Sequence, residues 1–209
     1  ICIYCIQLIL FIAVLVRTAF LEIPIGIFPD EAMSGYDAWC LANYGVDQHL
    51  APYPVYLQSW GSGMNALYAY LAIPFIKLLG LSLPVFRLPM ALTSCISLLL
   101  LYYTLKKTHT NYLNILLIML FITISPWHIM KSIWALESNI APDIILIGTC
   151  FIIMGYYCYQ FKKRLYIFAG FFFLALSAYA YAVMWFMLPF FCVFLLIFLY
   201  KRKKIKTSE

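Results

Sequence analysis

The chain has 209 residues, 66% of them hydrophobic and 11% charged, whereas about a quarter of residues are charged in a soluble domain; with a mean hydropathy of +0.94, this excludes an ordinary soluble fold and indicates a polytopic membrane protein. The formal charge is +6, but the basic residues stand in short clusters between apolar runs, where lipid headgroups and topology account for them, so nucleic acid is excluded as a partner. Of the seven cysteines, Cys2, Cys5, Cys95, Cys150, Cys158 and Cys192 lie in apolar runs as small hydrophobes and only Cys40 falls in an aqueous loop, so no disulfide framework is expected.

Residues 4–21 are apolar apart from Gln7, Arg17 and Thr18, close to the roughly 20 residues that span a bilayer, and read as a first transmembrane helix. A signal peptide would need a basic start and a small-residue cleavage site, and this stretch has neither. Residues 22–84 follow as a long mixed segment. Within it Asp30 and Glu31 come directly after Pro29, which suits a helix start, since proline fits the first turn and acids there oppose the positive end of the helix dipole. Asp30, Ser34 and Asp37 would share one helical face and Glu31 the adjacent one, presenting an acidic edge just outside the lipid. A plain reading stands beside this one, in which the acids only cap and solvate an interfacial helix. Pro52 and Pro54 break the segment, and a second, apolar helix is expected over residues 65–79.

Four further apolar runs, 88–105, 113–129, 140–161 and 166–200, complete the chain, the last being long enough for two crossings that turn around residues 182–185. Lys106 and Lys107, then Lys162, Lys163 and Arg164, then Lys201 to Lys204 with Lys206 punctuate them, and the positive-inside rule places all three clusters in the cytoplasm. Residues 22–63 hold five acids and no Lys or Arg, so this loop belongs outside, and parity then requires residues 65–79 to lie in the interface or re-enter rather than cross. The expectation is an all-α transmembrane bundle of six crossings, one module over residues 1–209, with residues 23–85 as a first extracytoplasmic loop bearing two interfacial helices. All acids but Glu209 then fall at the outer face. Trp127, His128, Lys131, Glu137, Asn139 and Asp143 join them from the connection between the third and fourth crossings. Charges beside a bilayer are costly unless they reach water or serve a site, so a polar outer cavity is the functional hypothesis.

Asp30-Glu31 after the first helix, an interfacial helix, Phe86-Arg87-Leu88-Pro89 opening the next span, Ser125-Pro126-Trp127-His128, Leu136-Glu137-Ser138-Asn139 and a Tyr-rich Ser177 to Tyr181 with Pro189 beyond it form an ordered series. In that order the chain resembles the N-terminal portion of the GT-C membrane glycosyltransferases of the protein mannosyltransferase and aminoarabinose transferase type. The resemblance implies a multi-pass enzyme of a bacterial plasma membrane that takes a sugar from a polyprenyl-phosphate donor and passes it to a lipid, glycan or protein acceptor on the extracytoplasmic side. It makes Asp30 the acid that deprotonates or orients the acceptor hydroxyl and Glu31 its companion. Asp37, Arg87, His128, Lys131, Glu137 and Asn139 become the substrate-binding set, with Arg87, His128 and Lys131 directed at the donor phosphate. Many relatives carry Arg one position after the serine that matches Ser132; here Ile133 stands there, and Lys131 is the neighbouring substitute, without the bidentate fork of Arg.

Each of these residues also has a structural reading. Arg87 fits an interfacial anchor, His128 an aromatic belt beside Trp127, and Glu137 and Asn139 a helix cap. Asp30 and Glu31 are of a type that holds Mg²⁺ or Mn²⁺, although no cofactor is required by the pattern. A transporter or a carrier-binding protein without chemistry is the alternative, disfavoured by the lack of internal repeats and by acids gathered at one face rather than at the midplane.

Overall fold

The computed structural model describes residues 2–23, 25–157 and 160–206; Cys158 and Glu209 lie outside them. The apolar runs become helices: α1 (Cys2–Thr18), α2 (Pro29–Tyr44), α3 (Leu67–Leu79), α4 (Leu83–Lys107), α5 (Tyr112–Ile124), α6 (Pro126–Ile133), α7 (Glu137–Tyr156), α8 (Gln160–Ala180) and α9 (Met184–Lys206). Four of the described helices are long and apolar enough to cross a membrane, or five if α5 and α6 are counted as one bent span, and α1 is shorter. Six crossings were expected; the difference lies in α1, which ends at Thr18, and in the break within the run 113–129.

That break has a local cause. Pro126 disfavours helical backbone at the residue before it, Ser125 is extended, and its hydroxyl accepts the backbone N–H of His128 to cap a new helix. The two helix axes diverge by 57°. In α2 the expected start is present, with Pro29 in the first turn beside Asp30 and Glu31, and the helix ends on Gly45, whose φ of 72° lies in the left-handed region that glycine enters without strain. A Cβ at Gly45 would also stand 2.9 Å from the Tyr53 hydroxyl.

The loop after α2 is not wholly helical. Strands β1 (Tyr56–Ser59) and β2 (Ser62–Asn65) form an antiparallel hairpin, Tyr56 opposite Asn65 and Ser59 opposite Ser62. Its two-residue turn, Trp60-Gly61, has positive φ at both positions, 49° and 72°, as a primed hairpin turn requires. The sequence leads to a Pro-broken loop between two interfacial helices, and the hairpin is a short element within that loop that the reading did not include. The pattern hid it because Asn or Gly, not Trp, normally marks the first turn position.

Side-chain bonds order the helix ends. Arg87 at the start of α4 bonds the Leu21 carbonyl beyond α1 and the Glu31 carboxylate at the start of α2. Tyr68 in the first turn of α3 donates to the Phe86 carbonyl of α4 at 2.5 Å, and α3 ends only three residues before α4 begins. Both ends of α3 therefore lie at the same end of α4, and α3 does not pass to the other. At that other end the Lys107 ammonium stands over the Tyr166 ring, 5.1 Å from its centroid, next to Lys162, Lys163 and Arg164 in sequence. The acidic loop and the basic clusters occupy opposite ends of the helices.

The main apolar core gathers α2, α3, α4, α7 and the hairpin around Leu57, Met64, Tyr68, Phe86, Met90 and Ile140. Helices α7 and α8 approach through glycine. A Cβ added at Gly170 would meet the Gly148 carbonyl oxygen at 2.8 Å and Ile152 Cγ1 at 2.4 Å, the close backbone approach that small residues allow where lipid offers no competing hydrophobic drive.

Candidate functional site

A cleft of about 310 Å³ opens at the acidic end of the molecule. Four elements supply it. Asp30 and Ser34 come from one face of the first turns of α2, Ser59 and Ser62 from the two strand ends of the hairpin, and Glu137 and Ser138 from the start of α7. Trp60 and Tyr181 form parts of its rim. Two carboxylates and four serine hydroxyls thus converge in a chain that is otherwise mostly apolar. Asp30 is half-buried, so its carboxylate reaches both the cleft and water. Glu137 accepts a hydrogen bond from the backbone N–H of Asn65, which fastens the hairpin to α7.

Glu31 and Arg87 are placed differently. Both side chains are 0% exposed, and they meet in a two-pronged pair, Arg87 Nε donating to Glu31 Oε1 at 2.7 Å and Nη2 to Oε2 at 2.8 Å. Arg87 also donates to the Leu21 and Gly26 carbonyls. Glu31 Oε1 further accepts the backbone N–H of Ala135 at 3.2 Å, a residue of the cleft wall. A buried, bidentate pair with a further backbone donor on the carboxylate is a brace between α2, α4 and the α6–α7 connection. Neighbours in sequence, Asp30 and Glu31 therefore point to different surroundings and do not converge on one ion. Among the described residues no three His, Cys, Asp or Glu side chains come together as a metal site, and the Mg²⁺ or Mn²⁺ site considered for Asp30 with Glu31 does not fit this geometry.

His128 and Lys131 belong to a buried polar network below the cleft. Lys131 pairs with Asp143 of α7, and Ser97 of α4 donates to Asp143 Oδ1 at 2.6 Å. The Arg17 guanidinium of α1 donates to His128 Nδ1 at 2.9 Å, to the Ala13 carbonyl at 2.9 Å and to the Ile122 carbonyl at 3.3 Å. A guanidinium has no acceptor, so His128 must accept at Nδ1 and carry its proton on Nε2, which stands 3.9 Å from Asp143 Oδ1. The α5–α6 bend brings this about, because it turns His128 and Lys131 inward to meet α1 and α7. Lys131 Nζ also sits 5.7 Å from the Trp127 ring centroid.

The two remaining candidates hold loops. Asp37 is buried and accepts the Gln48 backbone N–H at 2.8 Å and its side-chain amide at 3.2 Å, closing the turn after α2. Burial pushes its carboxyl above its ordinary value, and the Gln48 hydrogen bonds oppose that rise. Asn139 donates to the Trp134 carbonyl at 3.1 Å and steadies the α6–α7 connection. Neither Asp37 nor Asn139 lines the cleft.

The structure thus sorts the candidates into a cleft (Asp30, Glu137), a brace (Glu31, Arg87), a buried network (His128, Lys131) and two loop anchors (Asp37, Asn139). Sequence reasoning set Asp143 at the outer face, Ser34 on the Asp30 face and Ser138 in a motif without giving any of them a partner or a role, and it passed over Arg17, Ser59 and Ser62 as site residues. A lone arginine in an apolar helix signals a buried partner, so Arg17 was open to detection. Ser59 and Ser62 carry no local signal that separates them from other serines. Comparison with protein-family models, with curated proteins and with solved structures finds no match.

Proposed function

We propose that this chain is a glycosyltransferase of the plasma membrane that moves a sugar from a polyprenyl-phosphate donor to an acceptor hydroxyl at the extracytoplasmic end of a helical bundle. The observation that carries this reading is the contrast between two adjacent acids: Asp30 opens into a hydroxyl-lined cleft at the end opposite the basic clusters, while Glu31 is consumed in a brace that fixes the cleft wall. Positive clusters favour the cytoplasm, which puts the cleft outside, where a polyprenyl-linked sugar would present its head.

In the proposed reaction Asp30 accepts the proton of the acceptor hydroxyl as that oxygen bonds to the anomeric carbon. The bond from that carbon to the phosphate oxygen breaks, and its electron pair leaves with the lipid phosphate. One base on the face opposite the leaving group gives inversion, as in single-displacement glycoside chemistry. Glu31 and Arg87 position the base. Lys131 and His128, tied to Asp143 and Arg17, are the donors assigned to the departing phosphate, and this requires the network to open toward the cleft when donor binds.

Transfer by the purified protein in lipid, assayed with a panel of polyprenyl-phosphate sugars, tests the reading. Asp30→Asn preserves size and helix start, and should lower turnover by about 10² to 10⁴, the usual contribution of a positioned base, while carrier binding persists. Wild-type rates in a normally folded Asp30→Asn protein would overturn the catalytic role. Carrier binding by the wild type with no transfer from any donor would make the chain a carrier-binding protein instead.

A further inference from the structure

One part of the cleft lining takes no part in the proton transfer or in the brace. Trp60 stands at the tip of the hairpin, 76% exposed, at the rim of the cavity that Asp30 and Glu137 line. Its backbone φ of 49° belongs to the left-handed region, where bulky residues are rare and Asn or Gly is the usual occupant of this turn position. No burial within the protein offsets that choice, because the residue is largely uncovered by the rest of the chain. A strained backbone carrying a large exposed ring beside a polar cleft points to use of the ring.

The other aromatic residues of the loop are otherwise engaged. The Tyr56 ring lies flat against Gly63, so close that a Cβ there would fall 2.0 Å from it. The Tyr53 hydroxyl reaches back to Gly45, and neither tyrosine lines the cleft. Trp60 shares the cavity lining with the Asp30 and Glu137 carboxylates and four serines, and among the described residues no Lys or Arg lines it. An apolar ring and hydroxyl-directed acceptors in one cavity suit a pyranose, whose axial C–H bonds make one face apolar while its hydroxyls project from the edge. Two carboxylates beside the ring repel an anionic acceptor, so the acceptor sugar seated there is uncharged.

We infer that Trp60 is the stacking platform of an acceptor subsite and that the acceptor presents an electrically neutral pyranose there. This rests on the proposed transferase reading and narrows its acceptor from lipid, glycan or protein to a carbohydrate. Trp60 is a specificity-determining residue. The ring lies over the apolar face of the sugar and turns one hydroxyl toward Asp30.

The test uses the full chain in lipid nanodiscs with methyl pyranosides as probes, read by saturation-transfer NMR. Wild type should saturate the C–H protons of a neutral methyl hexopyranoside and bind the corresponding methyl uronide at least tenfold more weakly. Trp60→Asn should weaken pyranoside binding at least tenfold with an unchanged or higher Tm, since Asn fits the turn better, and Trp60→Phe should retain part of the binding. Equal pyranoside affinity in wild type and Trp60→Asn would overturn the inference, as would equal affinity for the uronide. Quenching of Trp60 by brominated lipid that a saturating pyranoside leaves unchanged would make the residue a bilayer anchor and overturn it as well. The two readings fail separately: loss of transfer in Asp30→Asn with full acceptor use by Trp60→Asn removes only the platform, whereas pyranoside binding without transfer removes only the enzyme.

Discussion

Asp30 and Glu31 show how far one residue of register decides chemistry. Successive side chains on a helix are separated by about 100°, so with Asp30 turned to the cleft, Glu31 is carried under α4, where Arg87 meets it. Truncating one partner of such a buried pair leaves an uncompensated charge, and Arg87→Ala should destabilise the protein by about 3–5 kcal/mol, read as a fall in Tm in detergent. A folded Arg87→Ala protein with undiminished Tm and weaker donor use would instead make Arg87 a phosphate ligand. Asp30→Asn, by contrast, should leave Tm near the wild-type value. Asp37 gives a pH dependence of known sign. Its carboxyl is raised in the folded state by burial, so the folded chain holds that proton more tightly than the unfolded one. Its contribution to stability is fully present below the ordinary carboxylate value and declines as pH rises through the folded one. Proteolytic protection of residues 45–55 should therefore weaken with rising pH in that window, and Asp37→Asn should flatten the dependence.

Elements follow the apolar runs closely, and they depart from them where backbone chemistry intervenes. The run at 113–129 is continuous in hydropathy but not in structure, because proline at 126 ends one helix and starts another. That break was signalled by Ser125-Pro126, although the inward turn of His128 and Lys131 was not. The hairpin was less legible, since Tyr56 to Asn65 lacks the usual turn pair and strong alternation. Between α7 and α8 the packing rests on Gly148 and Gly170. Gly170→Ala would press a methyl onto a backbone oxygen that cannot move aside, and overpacking of this kind costs about 1–3 kcal/mol. The expected result is a lower Tm with α7 and α8 forced apart. A Gly170→Ala protein as stable as wild type would show that the helices separate there without loss.

For the whole molecule, the separation of acidic and basic ends yields a topology prediction. Leu50, 79% exposed in the loop after α2, should when changed to cysteine be labelled by a membrane-impermeant thiol reagent on intact cells. His109→Cys, between α4 and α5 and exposed at the opposite end, should be labelled only after permeabilisation. Cys40 is a poorer reporter, being buried in α2. The reverse pattern would place the cleft in the cytoplasm and remove the extracytoplasmic reading.

Most helix positions, the helix start at Pro29 and the segregation of acids from bases were already determined by the sequence, because apolar periodicity, proline geometry and charge clustering act over a few residues or along a single run. The partners of the charges were decided only by tertiary structure. Glu31 and Arg87 are 56 residues apart and Arg17 and His128 are 111 apart, and no local rule links such positions. Which carboxylate of an adjacent pair opens to a cleft depends on the side of α2 that α4 covers. The four serines and Trp60 acquire a common cavity only when the hairpin, α2 and α7 are brought together. Burial then separates them in role, since a charge shut away from water must find its counter-charge while one at a cleft remains available to a ligand.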